Sequence, residues 1–109
     1  MPIKMKELPE TERPYEKLEQ YGSTSLTNAE LLAIIIKTGT KEETAVGLAQ
    51  QILKLNTTKE NNLKFLMDLT VEEFMKIKGI GKVKAIQLKA VSELATRINV
   101  VENYKEKIL

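Results

Sequence analysis

The chain has 109 residues, 17 lysines and arginines against 15 acids, and neither cysteine nor histidine. That length suits one compact domain with a modest core. A disulfide framework is excluded, and the usual thiolate and imidazole ligands for zinc are missing. No apolar run approaches the roughly 20 residues of a membrane helix, and the N-terminus has no signal-peptide core. A cytoplasmic protein without metal or cofactor is expected.

Residues 1–12 mix alternating charge with Pro2 and Pro9 and show no periodicity, so an extended arm is expected there. Arg13-Pro14 starts a short helix, since proline suits the first helical position. Leu18 and Tyr21 are expected to face the core, and Gly22 to stop the helix. Thr27-Asn28-Ala29-Glu30 reads as a capping box, in which hydroxyl and carboxylate each serve the other residue's amide. The run from Ala29 to Ile36 is apolar almost all round, which predicts a buried helix. A further helix is predicted over about Glu43 to Leu55, with Ala45, Leu48, Ala49, Ile52 and Leu53 as its apolar stripe. A polar loop follows over Asn56–Asn62, then a helical turn that packs Leu63, Leu66 and Met67. Thr70-Val71-Glu72-Glu73 is a second capping box. The last helix is predicted from about Lys82 to Ile98, with Val83, Ile86, Leu88, Val91, Leu94 and Ala95 mostly inward. No strand is predicted. The expected fold is all-α: five or six helices over residues 13–101, with a linker or tail over 102–109.

The stretch Ile77-Lys78-Gly79-Ile80-Gly81-Lys82-Val83-Lys84-Ala85 has the pattern of a helix-hairpin-helix element, a reader of nucleic-acid backbone. Gly79 and Gly81 can take positive φ and put no Cβ before an incoming phosphate. Ile80 pins the hairpin to the core, and the first amides of the next helix lack intrahelical acceptors. Ala85 lets the two helices approach closely. From Lys76 to Ser92 there are five lysines, Lys76, Lys78, Lys82, Lys84 and Lys89, and no acid, so the rest of the chain is net negative. A local basic patch on a near-neutral domain suits a phosphate footprint. The candidate site is therefore Lys78, Gly79, Ile80, Gly81, Lys82, Val83 and Lys84. The competing reading of the same residues is a tight packing turn with solvated lysines.

An internal repeat runs beneath this order. Leu26-Thr27-x-x-Glu30-Leu31 matches Leu69-Thr70-x-x-Glu73-Phe74 at an offset of 43, and Gly39 and Ala45 match Gly79 and Ala85 at an offset of 40. The first copy has a degraded hairpin, Thr38-Gly39-Thr40, with a single glycine. It is expected to stabilise a tandem pair rather than grip phosphate.

Taken together, these residues resemble the RadC family. The likeness lies in Leu8-Pro9, Arg13-Pro14, Glu16-Lys17-Leu18, Leu26, Ala29-Glu30-Leu31-Leu32-Ala33-Ile34, Thr38-Gly39-Thr40 and the Ile77–Gly81 hairpin. Tyr15 stands where the family has a basic residue. The resemblance implies an N-terminal helix-hairpin-helix module and an association with DNA repair. Full-length members continue into a JAMM-type metalloprotease domain with a glutamate, a His-x-His pair and an aspartate around zinc. This chain has no histidine, so it looks like the N-terminal module alone.

Three functions compete. The first is a DNA-binding module that contacts the phosphate backbone, which positions a protein without reading sequence. The second is a docking module for a JAMM-type domain or another protein, with no nucleic-acid role. The third is a base-excision glycosylase. Its lyase-active members place a nucleophilic lysine two residues after the second glycine, where this chain has Val83. Its downstream aspartate has no counterpart either, since no Asp follows Asp68. No catalytic residues are therefore assigned.

Overall fold

The computed structural model describes residues 13–37 and 42–108, with side chains described for 13–37 and 44–99. The expected arm over residues 1–12 and the Thr38-Gly39-Thr40 hairpin lie outside the described residues. All described regular structure is helical, and the chain divides into two compact units, Met1–Lys54 and Leu55–Leu109.

In the first unit, α1 spans Pro14–Tyr21, α2 Asn28–Ile36 and α3 Glu42–Leu53. Pro14 at the first helical position starts α1, and Gly22, at φ +89°, ends it by donating its amide to the Leu18 carbonyl at 2.8 Å. Tyr21 is exposed and Leu18 only half-buried; the buried residue of α1 is Pro14. The expectation of an inward Tyr21 fails because it occupies the last helical position, beside the turn. A 3-10 turn over Ser23–Ser25 leads to Thr27, whose hydroxyl accepts the Glu30 amide at 3.2 Å. Glu30 Oε1 accepts the Thr27 amide at 2.9 Å, so the predicted capping box forms. Lys17 of α1 reaches the same carboxylate at 3.4 Å. Burial alone would raise the Glu30 carboxyl, but the Thr27 amide and hydroxyl and the Lys17 ammonium outweigh it and hold the carboxyl below its ordinary value. α2 packs on α3, and Leu32, Ala33 and Ile36 share the core with Ala45, Leu48, Ala49 and Ile52.

The second unit holds α4, Phe65–Asp68, α5, Val71–Met75, and α6, Lys82–Ile108. In the loop before α4, Asn56 Oδ1 accepts from the Thr58 amide at 3.0 Å and Asn62 Oδ1 from the Lys64 amide at 3.0 Å. Such local bonds are why asparagine favours turns. Phe65 is the buried residue of α4, whereas Leu63, Leu66 and Met67 are half-buried. The second capping box forms as predicted, with both Thr70–Glu73 bonds at 3.1 Å. α4 and α5 both pack on α6, and Phe65, Phe74, Ile77, Ile80, Ala85 and Leu88 are buried.

α6 departs from expectation twice. It runs on to Ile108, through the region expected to be a linker. That tail is polar, but it holds neither glycine nor proline, and its lysines and glutamates are good helix formers. Its inward face is also different. Of the residues expected inward, Leu88 is buried and Ala95 half-buried, but Val83, Ile86, Val91 and Leu94 are exposed, and Ala85 and Ser92 complete the buried face. The Ser92 hydroxyl donates to the Leu88 carbonyl at 2.9 Å, so its burial leaves no orphan donor.

Candidate functional site

The turn joining α5 to α6 is built by alternating anchors and exposed residues. Ile77 and Ile80 are buried, the latter only 3% exposed. The Ile77 amide donates to Phe74 O at 3.2 Å and the Ile80 amide to Ile77 O at 3.0 Å. Reversing the chain between these anchors requires Gly79 at φ +100°, a region that L side chains rarely adopt. Gly81 is different. Its φ is not positive, and an added Cβ would meet nothing within 4 Å. The expectation that both glycines supply positive φ therefore holds for Gly79 alone. Gly81 supplies bareness: it is exposed, and no neighbour approaches the place of its missing Cβ.

α6 begins at Lys82, and its first interior bond is Ala85 N–H to Gly81 O at 3.0 Å. Among the described residues, the amides of Gly79, Gly81, Lys82 and Val83 have no protein acceptor. A helix start with free N–H groups carries partial positive charge. Ala85, fully buried one turn into α6, lets the helix close on the core, as its size suggested.

The lysines divide into two groups. Lys76, Lys78 and Lys82 are exposed around the turn, and Lys84 is half-buried. Lys89 belongs elsewhere. Its ammonium donates to Met67 O at 3.1 Å and Leu69 O at 3.0 Å, closing the carbonyl end of α4. Lys76, left out of the sequence-derived site, caps the C-terminal end of α5 and belongs with the exposed group. Its place just before Ile77 is the signal that could have found it. Val83 is 71% exposed within this basic surface, so the site is not purely polar. The structure thus brings Lys78, Gly79, Gly81, Lys82 and Val83 to one exposed turn, with Ile80 beneath it.

The first unit offers a partial counterpart. α3 begins at Glu42 and α6 at Lys82, forty residues apart, and Ala45 and Ala85 are both buried one turn in. At the same offset Glu42 stands opposite Lys82, so the first copy carries the wrong charge for an anion at its helix start. Among the described residues, no group of three or more His, Cys, Asp or Glu side chains could hold a metal ion.

Comparison with known proteins supplies the family. The UPF0758 N-terminal model matches residues 5–86. The chain is 51% identical over 108 residues to a UPF0758 protein of Alkaliphilus oremlandii, covering 96% of this chain and 45% of that protein. It is 48% identical over 96 residues to one from Caldanaerobacter subterraneus, covering 88% of this chain and 40% of the relative. A Clostridium botulinum UPF0758 protein is 43% identical over 104 residues, 95% of this chain and 44% of the relative. The chain thus spans less than half the length of these curated relatives. No solved structure matches it. With the family model matching well over half of its length, the chain belongs to the UPF0758 family, the RadC-like family, through its N-terminal domain.

Proposed function

We propose that the second unit is a helix-hairpin-helix module that binds the DNA phosphate backbone without sequence preference. The observation that carries this reading is the exposed α5–α6 turn, where Gly79 sits at φ +100° and the amides of Gly79, Gly81, Lys82 and Val83 lack protein acceptors beside the exposed Lys76, Lys78 and Lys82. Backbone N–H groups at a helix start bind anions, and the lysines raise the local phosphate concentration. In this reading the amides and lysines contact phosphate, and such contacts position a protein without specifying sequence. In this reading the chain acts by binding and not by turnover, needs no cofactor and works in the cytoplasm. Among the described residues no helix is long and apolar enough to cross a membrane. The link to DNA repair rests on the resemblance to RadC proteins alone.

A second reading, favoured by the 71% exposure of Val83, makes the same turn a docking surface. Its partner would be a JAMM-type domain, such as the uncovered length of the relatives could hold, or another protein. Fluorescence anisotropy with a labelled duplex separates the two. The DNA reading expects a dissociation constant of about 10⁻⁴ to 10⁻⁶ M at physiological salt, weakened sharply by Lys82→Glu. Affinity unaffected by Lys82→Glu favours docking.

A further inference from the structure

The start of α6 leaves two aliphatic side chains uncovered. Ala85 and Leu88 are buried in the second unit, whereas Val83 and Ile86, in the same two turns, are 71 and 48% exposed. Residues three apart on a helix are surface neighbours, about 5–6 Å between Cβ atoms, so this pair adjoins. Single exposed apolar residues are ordinary. This pair is set apart by its surroundings. It lies within the acid-free run from Lys76 to Ser92, just after the exposed Lys76, Lys78 and Lys82. Among the described residues, the amides of Gly79, Gly81, Lys82 and Val83 have no protein acceptor. Val83 therefore carries both an N–H suited to an anion and an exposed apolar side chain.

We propose that Val83 and Ile86 receive the face of an unstacked base, which makes single-stranded DNA the preferred ligand of this turn. The inference rests on the phosphate-binding reading and names the ligand of that same site. One nucleotide of a single strand supplies both halves of the match. Its phosphate meets the amides and lysines, and the flat face of its base meets the aliphatic pair. Every base has such a face, so the contact adds affinity without reading sequence. In a duplex the faces are stacked, and an apolar side chain reaches one only by unstacking it. The first unit gives no reason to favour a paired strand. At the corresponding start of α3 stand Glu42 and Glu43, the wrong charge for the phosphates of a second strand.

Electrostatics alone would give the opposite preference. A duplex carries one charge per about 1.7 Å of axis and each strand one per about 3.4 Å, so lysines by themselves favour the duplex. Tighter binding of a single strand thus reports something other than charge. An abasic strand then separates the bases from the greater flexibility of an unpaired backbone, since it keeps every phosphate and sugar.

Fluorescence anisotropy of the whole chain with three labelled DNAs of about 12 nucleotides tests the inference: a thymidine strand, an abasic strand and a duplex. The thymidine strand should bind at least about fivefold more tightly than the abasic strand, and more tightly than the duplex. Val83→Ser and Ile86→Ser should each at least about halve the thymidine-to-abasic ratio, and together bring it to about one. Helicity by circular dichroism should be unchanged in both. Lys82→Glu should weaken all three complexes and preserve the ratio. An abasic strand bound as tightly as thymidine, a duplex bound more tightly than thymidine, or a ratio that survives both serine substitutions overturns the base contact. Binding of all three DNAs that ignores both salt and Lys82→Glu overturns the phosphate reading instead, and the inference falls with it.

Discussion

Replacing Gly79 and Gly81 in turn by alanine separates the architecture of the α5–α6 turn from its surface. Gly79 sits at φ +100° between Ile77 and Ile80, both buried. A Cβ there cannot be relieved by rotating the turn without unseating Ile80. Holding an L residue in such a region costs about 1–3 kcal/mol. For a domain of this size that lowers the thermal midpoint by about 5–15 °C. Gly81 has no positive φ, and its new Cβ would point into open space. Gly81→Ala should therefore change stability by less than about 0.5 kcal/mol, as exposed substitutions usually do. Under the proposed phosphate contact, in which the anion approaches the bare Gly81, the added methyl group obstructs that approach. Losing one charge-assisted hydrogen bond, about 1.5 kcal/mol at the low end, weakens DNA binding about tenfold. Circular dichroism melts and duplex anisotropy on both variants check this. Gly81→Ala melting as early as Gly79→Ala would refute the assignment of roles, and Gly81→Ala binding like the parent would remove that surface from the contact.

The other predictions are independent of that pair. Lys89→Met should lower stability by about 1–3 kcal/mol, because two half-buried carbonyls lose their donor, and a denaturant midpoint reads this directly. Thr27→Ala and Thr70→Ala should each cost about 1 kcal/mol through the lost cap, and equal costs would match the equal geometry of the two boxes. Glu30 gives an acid signature. Its carboxyl is held below the ordinary value, so the stability it contributes is full above the unfolded carboxylate range and is lost as pH falls through the folded value. Glu30→Gln keeps the capping amide bond but not the charge. The gap in thermal midpoint between parent and variant should therefore close on acidification, and a gap that persists at low pH would contradict the Lys17–Glu30 account.

Local signals were the most legible. Both capping boxes, the Pro14 start and the Gly22 stop follow from short-range chemistry and appear where the spacing put them. Ile80 as anchor and Ala85 as close-packing residue were equally legible, the first as the one apolar residue between two glycines and the second as a small residue one turn into the helix. The inward face of α6 was legible at Leu88 but not beyond it. A helix with apolar residues on opposite sides offers two candidate faces, and the pattern favoured the bulkier one, Val83, Ile86 and Leu94. The core took the smaller one, Ala85 and Ser92, because α4 and α5 pack closely on it. Lys89 was counted in the basic patch for a related reason: charge clustering in sequence does not say which ammonium reaches a half-buried carbonyl. The helical tail of α6 was hidden because polarity without glycine or proline marks a solvated surface as readily as a linker.

The salt dependence of duplex binding tests the central claim most directly. Lys76, Lys78 and Lys82 are exposed at the turn, so about two to four phosphates should be neutralised. Counterion release then predicts that log K falls with log[salt] at a slope of roughly −2 to −4, nearly the same for unrelated duplex sequences. Lys82→Glu should make that slope shallower by about one. A slope near zero, or a strong preference for one sequence, would contradict backbone binding at this turn.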